Sequence, residues 1–333
     1  MIPLAEATAW LAAHGPRLDA EPVPIHQAAG RAVAHDVAAA ALPSHKLAAI
    51  DGLAIRAAET EGASDYAPVC MHGTPIQGGA PMPPGTDAVL PAFAHDGRRA
   101  LLQIAVGSGV VQAGHDAAAG VVIAAGTMLR PLHIALLAQI GHTTVDVIRR
   151  PRVDLRTAPA KSGPDALRPL LLALLAEAGA ITALPPDLIL LAGRSGHGVA
   201  GIAALDNVFA DGIAIRPGET TALGTVAGCP AILLRGDLLA CATTFALLAA
   251  PALRRRSGRA EPTPISVTLT RKVISGLGQL DAIRLRVDGT AATPLGPAEG
   301  GSLTPACDAT ALLLVPAGSE GYPKGATIQA VPL

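Results

Sequence analysis

Apolar residues recur near the start of the chain with the spacing of a helix. Residues 3–14 place Leu4 and Leu11 on one helical face, and Gly15, which is followed by a proline, ends this element. Residues 27–40 are rich in alanine, so their pattern fits either a second helix or a mixture of helix and strand. The chain therefore begins with a helical segment.

From about residue 41 to residue 123 the pattern changes to short β-type runs. Segments rich in glycine and proline, such as GGAPMPPG, separate these runs. This alternation predicts a small β domain. Residues 131–140 then predict a helix that begins with proline, and Gly141 caps its end.

The segment 151–257 alternates strands with helices, which predicts a layered α/β domain. Residues 188–192, LILLA, are a continuous apolar run of the kind found in buried parallel sheets. The helix predicted at 164–178 contains Pro169, which is expected to interrupt it. The other predicted elements are strands at 152–157, 213–218 and 231–236 and a long helix from about residue 238.

The short run ITAL, residues 181–184, poses a topological problem. Only Pro185, Pro186 and Asp187 separate it from LILLA. Parallel neighbours in a sheet need a crossover of about a dozen residues or more. These two runs therefore cannot be adjacent parallel strands, so ITAL either lies outside the sheet or pairs elsewhere.

Beyond residue 262 the runs are all β-like and are separated by turns rich in glycine and proline, which predicts a small C-terminal β-barrel or sandwich. The predicted domains are a helical and linker domain (1–41 with 124–149), an inserted β domain (42–123), an α/β domain (150–258) and a C-terminal β domain (259–333).

Composition excludes several classes of function. The chain has 333 residues, of which 50% are hydrophobic and 15% charged, so it can bury large cores. The aromatic share of 2% removes the stacking surfaces of proteins that bind single-stranded nucleic acid. The net charge of −1, without a basic tail, disfavours binding to nucleic acid or to anionic membranes.

Residues 238–253 are the most membrane-like stretch. They fall short of the roughly 18–20 residues of a membrane span and contain two threonines and Pro251, so they predict a buried helix. The N-terminus lacks the features of a signal peptide, and we expect a cytoplasmic protein. The four cysteines contain no C-x-x-C pair, which argues against zinc and against a disulfide framework.

A glycine-rich loop follows LILLA in the stretch DLILLAGRSGHGVAG, residues 187–201. Such a loop presents backbone N–H groups to an anion, as phosphate-binding loops do. No carboxylate occurs between Leu188 and Leu205. The loop can therefore receive an anion but offers no acidic ligand for a metal ion.

Five motifs, in order, resemble those of the molybdopterin molybdenumtransferase family, which includes MoeA and the E domain of gephyrin. They are LPSHKLAAIDGLAIRAAE (42–59), GGAPMPPGTDAVLP (78–91), VQAGHDAAAGVVIAAGTMLRPLHIALLAQIG (111–141), RPGETTALG (216–224) and LLRGDLLACATTFALLAAPALRR (233–255). The resemblance covers nearly the whole chain. It implies a MoeA-like fold of multidomain α/β plus β class, with a shortened three-layer α/β domain of the MoaB/MogA type that binds molybdopterin, an inserted small β domain and a C-terminal β-barrel-like domain.

The resemblance also implies an activity and an assembly. Members of this family cleave adenylylated molybdopterin, insert molybdate into its dithiolene and release AMP, with magnesium held by carboxylates. The family is dimeric, so a homodimer is implied. The residues that stand at the positions of its binding motifs are Gly193, Arg194, Ser195, Gly196, Arg216, Pro217, Gly218, Thr221, Arg235 and Gly236. Asp51 matches an acidic residue of the family, whereas Asp237 stands where the family has asparagine.

Several family residues are replaced in this chain. Glu219 stands where the family has the second lysine of K-P-G-K, and Gly78 stands where it has threonine. Pro159 and Ala160 replace the Asp and Glu of its S-T-G-D-E-L motif, and Gly198 replaces the Asp of its glycine loop. We therefore expect no metal ion held by the protein and a loss of transition-state stabilisation.

Three hypotheses follow. The first is a protein of molybdenum-cofactor biosynthesis or handling that binds molybdopterin, the finished cofactor or a client molybdoenzyme, with weak or no catalysis. The second is an active molybdenumtransferase in which Asp51 and Asp237 hold magnesium. The third is a structural partner that binds no pterin.

Overall fold

The computed structural model describes residues 1–15, 17–158, 165–193, 201–235, 237–298 and 301–333. The described chain forms two compact units. The first, unit 1, comprises Met1–Glu21, Gly30–Ala32 and Val147–Leu333, and the second, unit 2, comprises Pro22–Ala29 and Val33–Asp146. The four finer domain boundaries predicted from the sequence stay predictions.

Short strands outnumber helices along the described chain. The α-helices are α1 (Leu4–Ala13), α2 (Pro131–Gln139), α3 (Leu167–Glu177), α4 (Leu238–Thr244), α5 (Ala250–Arg256) and α6 (Leu303–Ala306). The strands up to residue 148 are β1 (Ala20–Pro24), β2 (Val37–Ala39), β3 (Leu47–Ala48), β4 (Gly52–Ile55), β5 (Val69–Cys70), β6 (Thr74–Ile76), β7 (Ala88–Leu90), β8 (Arg99–Ala100), β9 (Val110–Val111), β10 (Gly120–Ile123) and β11 (Thr144–Ile148). The later strands are β12 (Arg152–Thr157), β13 (Ile181–Thr182), β14 (Leu188–Gly193), β15 (Asn207–Asp211), β16 (Ile215–Arg216), β17 (Ala222–Val226), β18 (Cys229–Arg235), β19 (Ile265–Leu269), β20 (Val273–Ile274), β21 (Leu280–Asp288), β22 (Ala291–Pro294), β23 (Ala311–Val315), β24 (Gly321–Tyr322) and β25 (Thr327–Pro332).

Unit 2 is built from short antiparallel strands, as the sequence predicts for residues 42–123. The order β6-β4-β7 forms its three-stranded sheet, and Leu53, Ile55 and Leu90 lie in its core. Helix α2 begins with proline at its first position, and Gly141 follows its end with a φ of +88°. This helix was correctly predicted with its start and its cap.

The helical alternative for residues 27–40 is wrong. The segment contains the end of a 3₁₀ turn and the short strand β2, and no α-helix. Its Arg31 is 8% exposed and donates to the carbonyl oxygen of Ile148, 2.9 Å away, and to the carboxylate of Glu21. These non-local bonds, together with the φ of +76° at Gly30, override the helix propensity of the alanines.

In unit 1 a six-stranded sheet has the order β13-β12-β14-β18-β17-β15. The first four strands are parallel, and β17 and β15 extend the sheet as antiparallel strands. Strand β14 is buried along its whole length, as predicted for LILLA. Leu188 and Leu190 face one core, while Ile189 and Leu191 face another, so both faces of this strand are covered.

The two faces of this sheet carry different layers. On one face, the core contains Leu11 from α1, Leu171 from α3 and Phe245 from the long helix Leu238–Arg256. On the other face, the part of the chain that the structure describes provides the 3₁₀ turn Ile202–Ala204. Among the described residues, this second face therefore carries no α-helix.

The helix predicted from residue 238 is longer than expected. A π-helical turn joins α4 to α5, so one helix runs over Leu238–Arg256, 19 residues. Among the described residues it is the one helix that length and composition would allow to cross a membrane, but 61% of its most apolar window is buried inside the protein. That burial is typical of a core helix.

Pro169 does not interrupt α3, contrary to the prediction. The helix begins at Leu167, so the proline lies in the first turn. Backbone N–H groups in a first turn have no partner within the helix, and a proline there removes no hydrogen bond.

The run ITAL, residues 181–184, does not pair with β14 but supplies β13, which pairs with another strand. Strand β13 pairs with β12 on the side opposite to β14, and only Ile181 and Thr182 take part. These residues lie at the start of β12, where β14 also begins. The chain therefore passes from β13 to β14 without travelling back along a strand, and no helical crossover is needed.

The C-terminal strands close into a barrel. Strands β21, β22, β19, β25 and β23 pair in this order, and β23 pairs with β21 again. Val267, Ile283 and Leu313 fill its core. The predicted strand at 213–218 is reduced to β16, which pairs in parallel with β21 and so belongs to the barrel sheet.

An ion pair fixes the entry to β14. The guanidinium of Arg149 donates to both carboxylate oxygens of Asp187, at 2.7 and 2.6 Å, and the N–H of Arg152 donates to the same carboxylate. Burial alone would raise the pKa of Asp187, but these bonds and the charge of Arg149 hold it below its ordinary value. The carboxylate is therefore charged at neutral pH.

We predict that Asp187→Asn lowers the free energy of unfolding by about 2 kcal/mol at pH 7, because Arg149 loses its charged partner. The lowered pKa of Asp187 means that this stabilisation is complete above an unfolded pKa of about 3.9 and is lost as the pH falls through the folded value. Urea denaturation at pH 7 and near pH 3 should show a difference from wild type that shrinks in acid. The exposed Asp288, which pairs with Arg286 at 3.3 Å, supplies the control Asp288→Asn, with an expected change below about 0.5 kcal/mol.

Candidate functional site

The carboxyl ends of β14 and β18 meet at one edge of the sheet in unit 1. Gly193 and Arg235, which end these strands, are register partners. The structure therefore brings together two of the residues expected to bind a ligand. Arg194, Ser195, Gly196 and Gly236 lie outside the described residues.

A small cavity of about 240 Å³ lies beside this edge. It contains four of the residues predicted from the sequence, namely Pro217, Gly218, Arg235 and Asp237. The other residues that line it are Glu219, Thr220, Leu239, Ala240, Ala298 and Gly301. We refer to this cavity as the cleft.

Arg216 is held by a carboxylate. Its Nε and Nη2 donate to the two oxygens of Asp281 at 2.7 and 2.9 Å. The side chain of Asp281 is 4% exposed and also accepts from the hydroxyl of Ser275. Burial would raise the pKa of Asp281, but these hydrogen bonds and the charge of Arg216 lower it.

Arg235 is paired in the same way. Its Nη2 donates to the carboxylate of Asp211, and its Nε donates to the carbonyl oxygen of Thr220. The side chain of Arg235 is 15% exposed, so little of it faces solvent. The positive charge predicted at this position is present, but a carboxylate of the chain itself compensates it.

Asp237 caps the long helix. Its Oδ1 accepts a hydrogen bond from the N–H of Ala240 at 2.8 Å. A helix N-terminus attracts anions because its first N–H groups lack partners and its dipole is positive there. The Asp237 carboxylate therefore takes the place that a bound oxyanion would occupy.

Glu219 contributes a second carboxylate to the cleft. Its Oε2 accepts a hydrogen bond from the N–H of Gly218 at 3.1 Å. Gly218 is one of the residues predicted to bind the ligand, and its N–H is therefore already used within the chain. The sequence showed the change of charge at position 219, but only the structure shows that the side chain lines the cleft.

Thr221 does not reach the cleft. It is fully buried, and its hydroxyl lies 3.3 Å from that of Thr244, which donates to the carbonyl oxygen of Ala240. The contact between the two hydroxyls packs the segment that precedes β17 against the long helix. The structure therefore gives Thr221 a packing role, and its predicted role in ligand binding stays a prediction.

Asp51 belongs to unit 2, where it has a local role. Its Oδ1 accepts a hydrogen bond from the N–H of Gly78 at 2.7 Å, and a Cβ at Gly78 would lie 3.6 Å from this oxygen. The two positions that the family motifs single out in this segment are therefore adjacent in the structure. The bond also fits the simpler interpretation of Asp51 as a residue that stabilises a turn.

A larger cavity of about 680 Å³ lies elsewhere in unit 1. Its walls are mostly apolar and come from α3, the long helix, α6 and the barrel. Of its charged residues, Arg284 is half-buried and donates to the carbonyl oxygen of Leu239 and the hydroxyl of Thr243. Burial lowers the pKa of Arg284, and the nearby charge of Asp237 opposes that shift. This arginine was not identified from the sequence, because nothing in its strand distinguishes it from an exposed residue.

Comparison with known proteins gives a consistent answer. A family model described as the MoeA N-terminal region (domain I and II) matches residues 2–141, and one described as the MoeA C-terminal region (domain IV) matches residues 266–333, together more than half of the chain. The chain belongs to the MoeA family.

Similar proteins extend this finding over the full length. Molybdopterin molybdenumtransferase 2 of Mycobacterium tuberculosis is 27% identical, with 88% of this chain and 90% of that protein covered. Molybdopterin molybdenumtransferase of Bacillus subtilis is 25% identical, with 98% and 93% covered. The crystal structure of the molybdopterin biosynthesis MoeA protein from Pyrococcus horikoshii superposes with a TM-score of 0.83 over 100% of both chains, at 22% identity. The MoeA-like fold, with mixed α/β structure and a closed five-stranded C-terminal barrel, is therefore confirmed.

The magnesium that the MoeA resemblance implies does not fit the residues described. Within 1–15, 17–158, 165–193, 201–235, 237–298 and 301–333, no three His, Cys, Asp or Glu side chains are grouped so as to hold a metal ion. Asp51 and Asp237 both use a carboxylate oxygen on a backbone N–H.

The cysteine nearest the cleft is inert. Burial, together with the charge of Asp237, raises the pKa of Cys241 to about 12, so the thiol stays protonated at neutral pH. We predict that iodoacetamide at pH 8 alkylates the exposed Cys70 and Cys307 and leaves Cys241 unmodified until the protein is unfolded. Peptide mass spectrometry would measure this, and rapid alkylation of Cys241 in the native protein would contradict it.

Residues 217–220, which we call the cleft loop, line the cleft, and the packing of this loop requires a glycine at position 218. Gly218 has a φ of +120°, and a Cβ would lie 2.4 Å from the hydroxyl oxygen of Thr244. We predict that Gly218→Ala lowers the free energy of unfolding by at least about 2 kcal/mol more than Gly278→Ala does. Gly278 is a matched control because its φ is +98° and nothing lies within 4 Å of a Cβ there. Equal losses in urea denaturation would show that the approach of Thr244 does not matter.

Proposed function

We propose that this MoeA-family protein acts in molybdenum-cofactor biosynthesis or handling as a binding protein. It holds molybdopterin, the finished cofactor or a client molybdoenzyme and has weak or no catalytic activity of its own. The relatives in Mycobacterium tuberculosis and Bacillus subtilis are molybdopterin molybdenumtransferases, and the two family models support the same pathway.

This proposal rests on the ion pairs and the helix cap that use the charged groups at the cleft. Insertion of molybdate into an adenylylated pterin requires charge stabilisation of several phosphate and oxyanion groups. Here Arg216 binds Asp281, Arg235 binds Asp211, and Asp237 caps the helix. The described part of the cleft therefore has no uncompensated cation with which to stabilise charge in a transition state.

The alternative is an active molybdenumtransferase that uses Asp51 and Asp237 to hold magnesium. Neither carboxylate is grouped with further acidic ligands among the described residues. A pterin-binding role requires no metal ion, and therefore no such group of acidic ligands. We therefore favour the binding role. We also propose a homodimer, as the family resemblance implies, and a cytoplasmic location, as expected from the sequence.

We predict that the protein purified from a cell that makes molybdopterin retains a fluorescent, oxidisable pterin. We also predict that it releases no AMP above background from adenylylated molybdopterin with magnesium and molybdate. HPLC measures both the pterin and the nucleotide. AMP release that Asp51→Ala abolishes would establish the active enzyme instead, and absence of any pterin would favour the purely structural partner.

A further inference from the structure

The position of the Glu219 carboxylate is set by the backbone of its loop. Three successive carbonyl oxygens are engaged: that of Glu219 accepts from the N–H of Ile213 at 3.1 Å, that of Thr220 from Arg235, and that of Thr221 from the N–H of Gly212 at 2.9 Å. The loop that carries Glu219 is therefore tied to the two residues that follow β15 and to the end of β18. The carboxylate itself is held at the cleft by the N–H of Gly218, which donates to its Oε2 at 3.1 Å.

Two acidic side chains line the cleft. Glu219 and Asp237 both line it, and neither has a cationic side chain within 4 Å among the residues that the structure describes. Arg235, which also lines the cleft, is compensated by Asp211. Two carboxylates thus face a cavity of about 240 Å³. Among the described residues, Arg284 adds a positive charge near Asp237 but does not line the cleft.

An oxyanion would meet two obstacles in this cleft. The N–H groups of Gly218 and Ala240, which would bind it, already donate to Glu219 and Asp237. The two carboxylates also repel any further negative charge, and in a partly buried site this repulsion is weakly screened. A neutral or positively charged hydrogen-bond donor meets no such repulsion and finds two carboxylate acceptors.

We infer that Glu219 is a specificity-determining residue: its carboxylate keeps phosphate and other oxyanions out of the cleft and reserves it for a neutral or positively charged donor group. This inference rests on the proposed function in so far as both concern the same cleft. It specifies that the phosphate of a bound pterin must lie outside the cleft.

The test is the binding of inorganic phosphate, measured by isothermal titration calorimetry, to wild type, Glu219→Gln and Glu219→Lys. We expect phosphate to bind Glu219→Gln about tenfold more tightly than wild type, and Glu219→Lys more tightly still. Glu59→Gln is the matched control. Glu59 is half-buried, accepts from the N–H of His72 at 2.8 Å and lies in unit 2, so its removal changes the net charge equally without touching the cleft.

A gain in affinity distinguishes this role from a structural one, because a damaged loop would bind phosphate less well. Equal affinity of wild type and Glu219→Gln, an equal gain in Glu59→Gln, or no phosphate binding by any variant would overturn the inference. The pterin content and AMP release of the same preparations test the proposed function separately. A preparation can therefore retain pterin without showing the effect at Glu219, or show that effect without retaining pterin.

Discussion

The ion pair between Arg216 and Asp281 joins the barrel to the segment that carries the cleft loop. The two residues are register partners in the parallel pairing of β16 with β21, so the pair and the strand pairing support one another. A carboxylate that is 4% exposed would be costly without a charged partner. The loop that follows Arg216 leads directly into the cleft, whose position therefore depends on this pair.

Carboxylates of the protein also pair with other charged and polar groups of the cleft. Arg235 is bound by Asp211, the helix N-terminus by Asp237, and the N–H of Gly218 by Glu219. Each of these donors, which could otherwise receive an anion, is matched by a carboxylate of the chain itself. The MoeA fold is retained, and carboxylates of the chain occupy these donors of the cleft.

The core elements were predictable because their signals are local. The apolar run of β14 identified a strand buried on both faces, and the proline and glycine around α2 marked its ends. One prediction failed where a distant contact decided the outcome. Arg31 ties residues 27–40 to Ile148, 117 residues away, in a non-helical form. The prediction for Pro169 failed for a local reason, because α3 starts only two residues before it. The placement of ITAL needed the knowledge that β13 has only two residues.

By itself, the sequence determined the MoeA family and the main core elements, because motifs and apolar periodicity are written in consecutive residues. It also showed that Glu219 replaces a lysine of the family. The tertiary structure alone decided which carboxylate meets which arginine. Asp281 lies 65 residues from Arg216, and Asp211 lies 24 residues from Arg235. Strand register brings these partners together, and no local pattern encodes a register between distant strands.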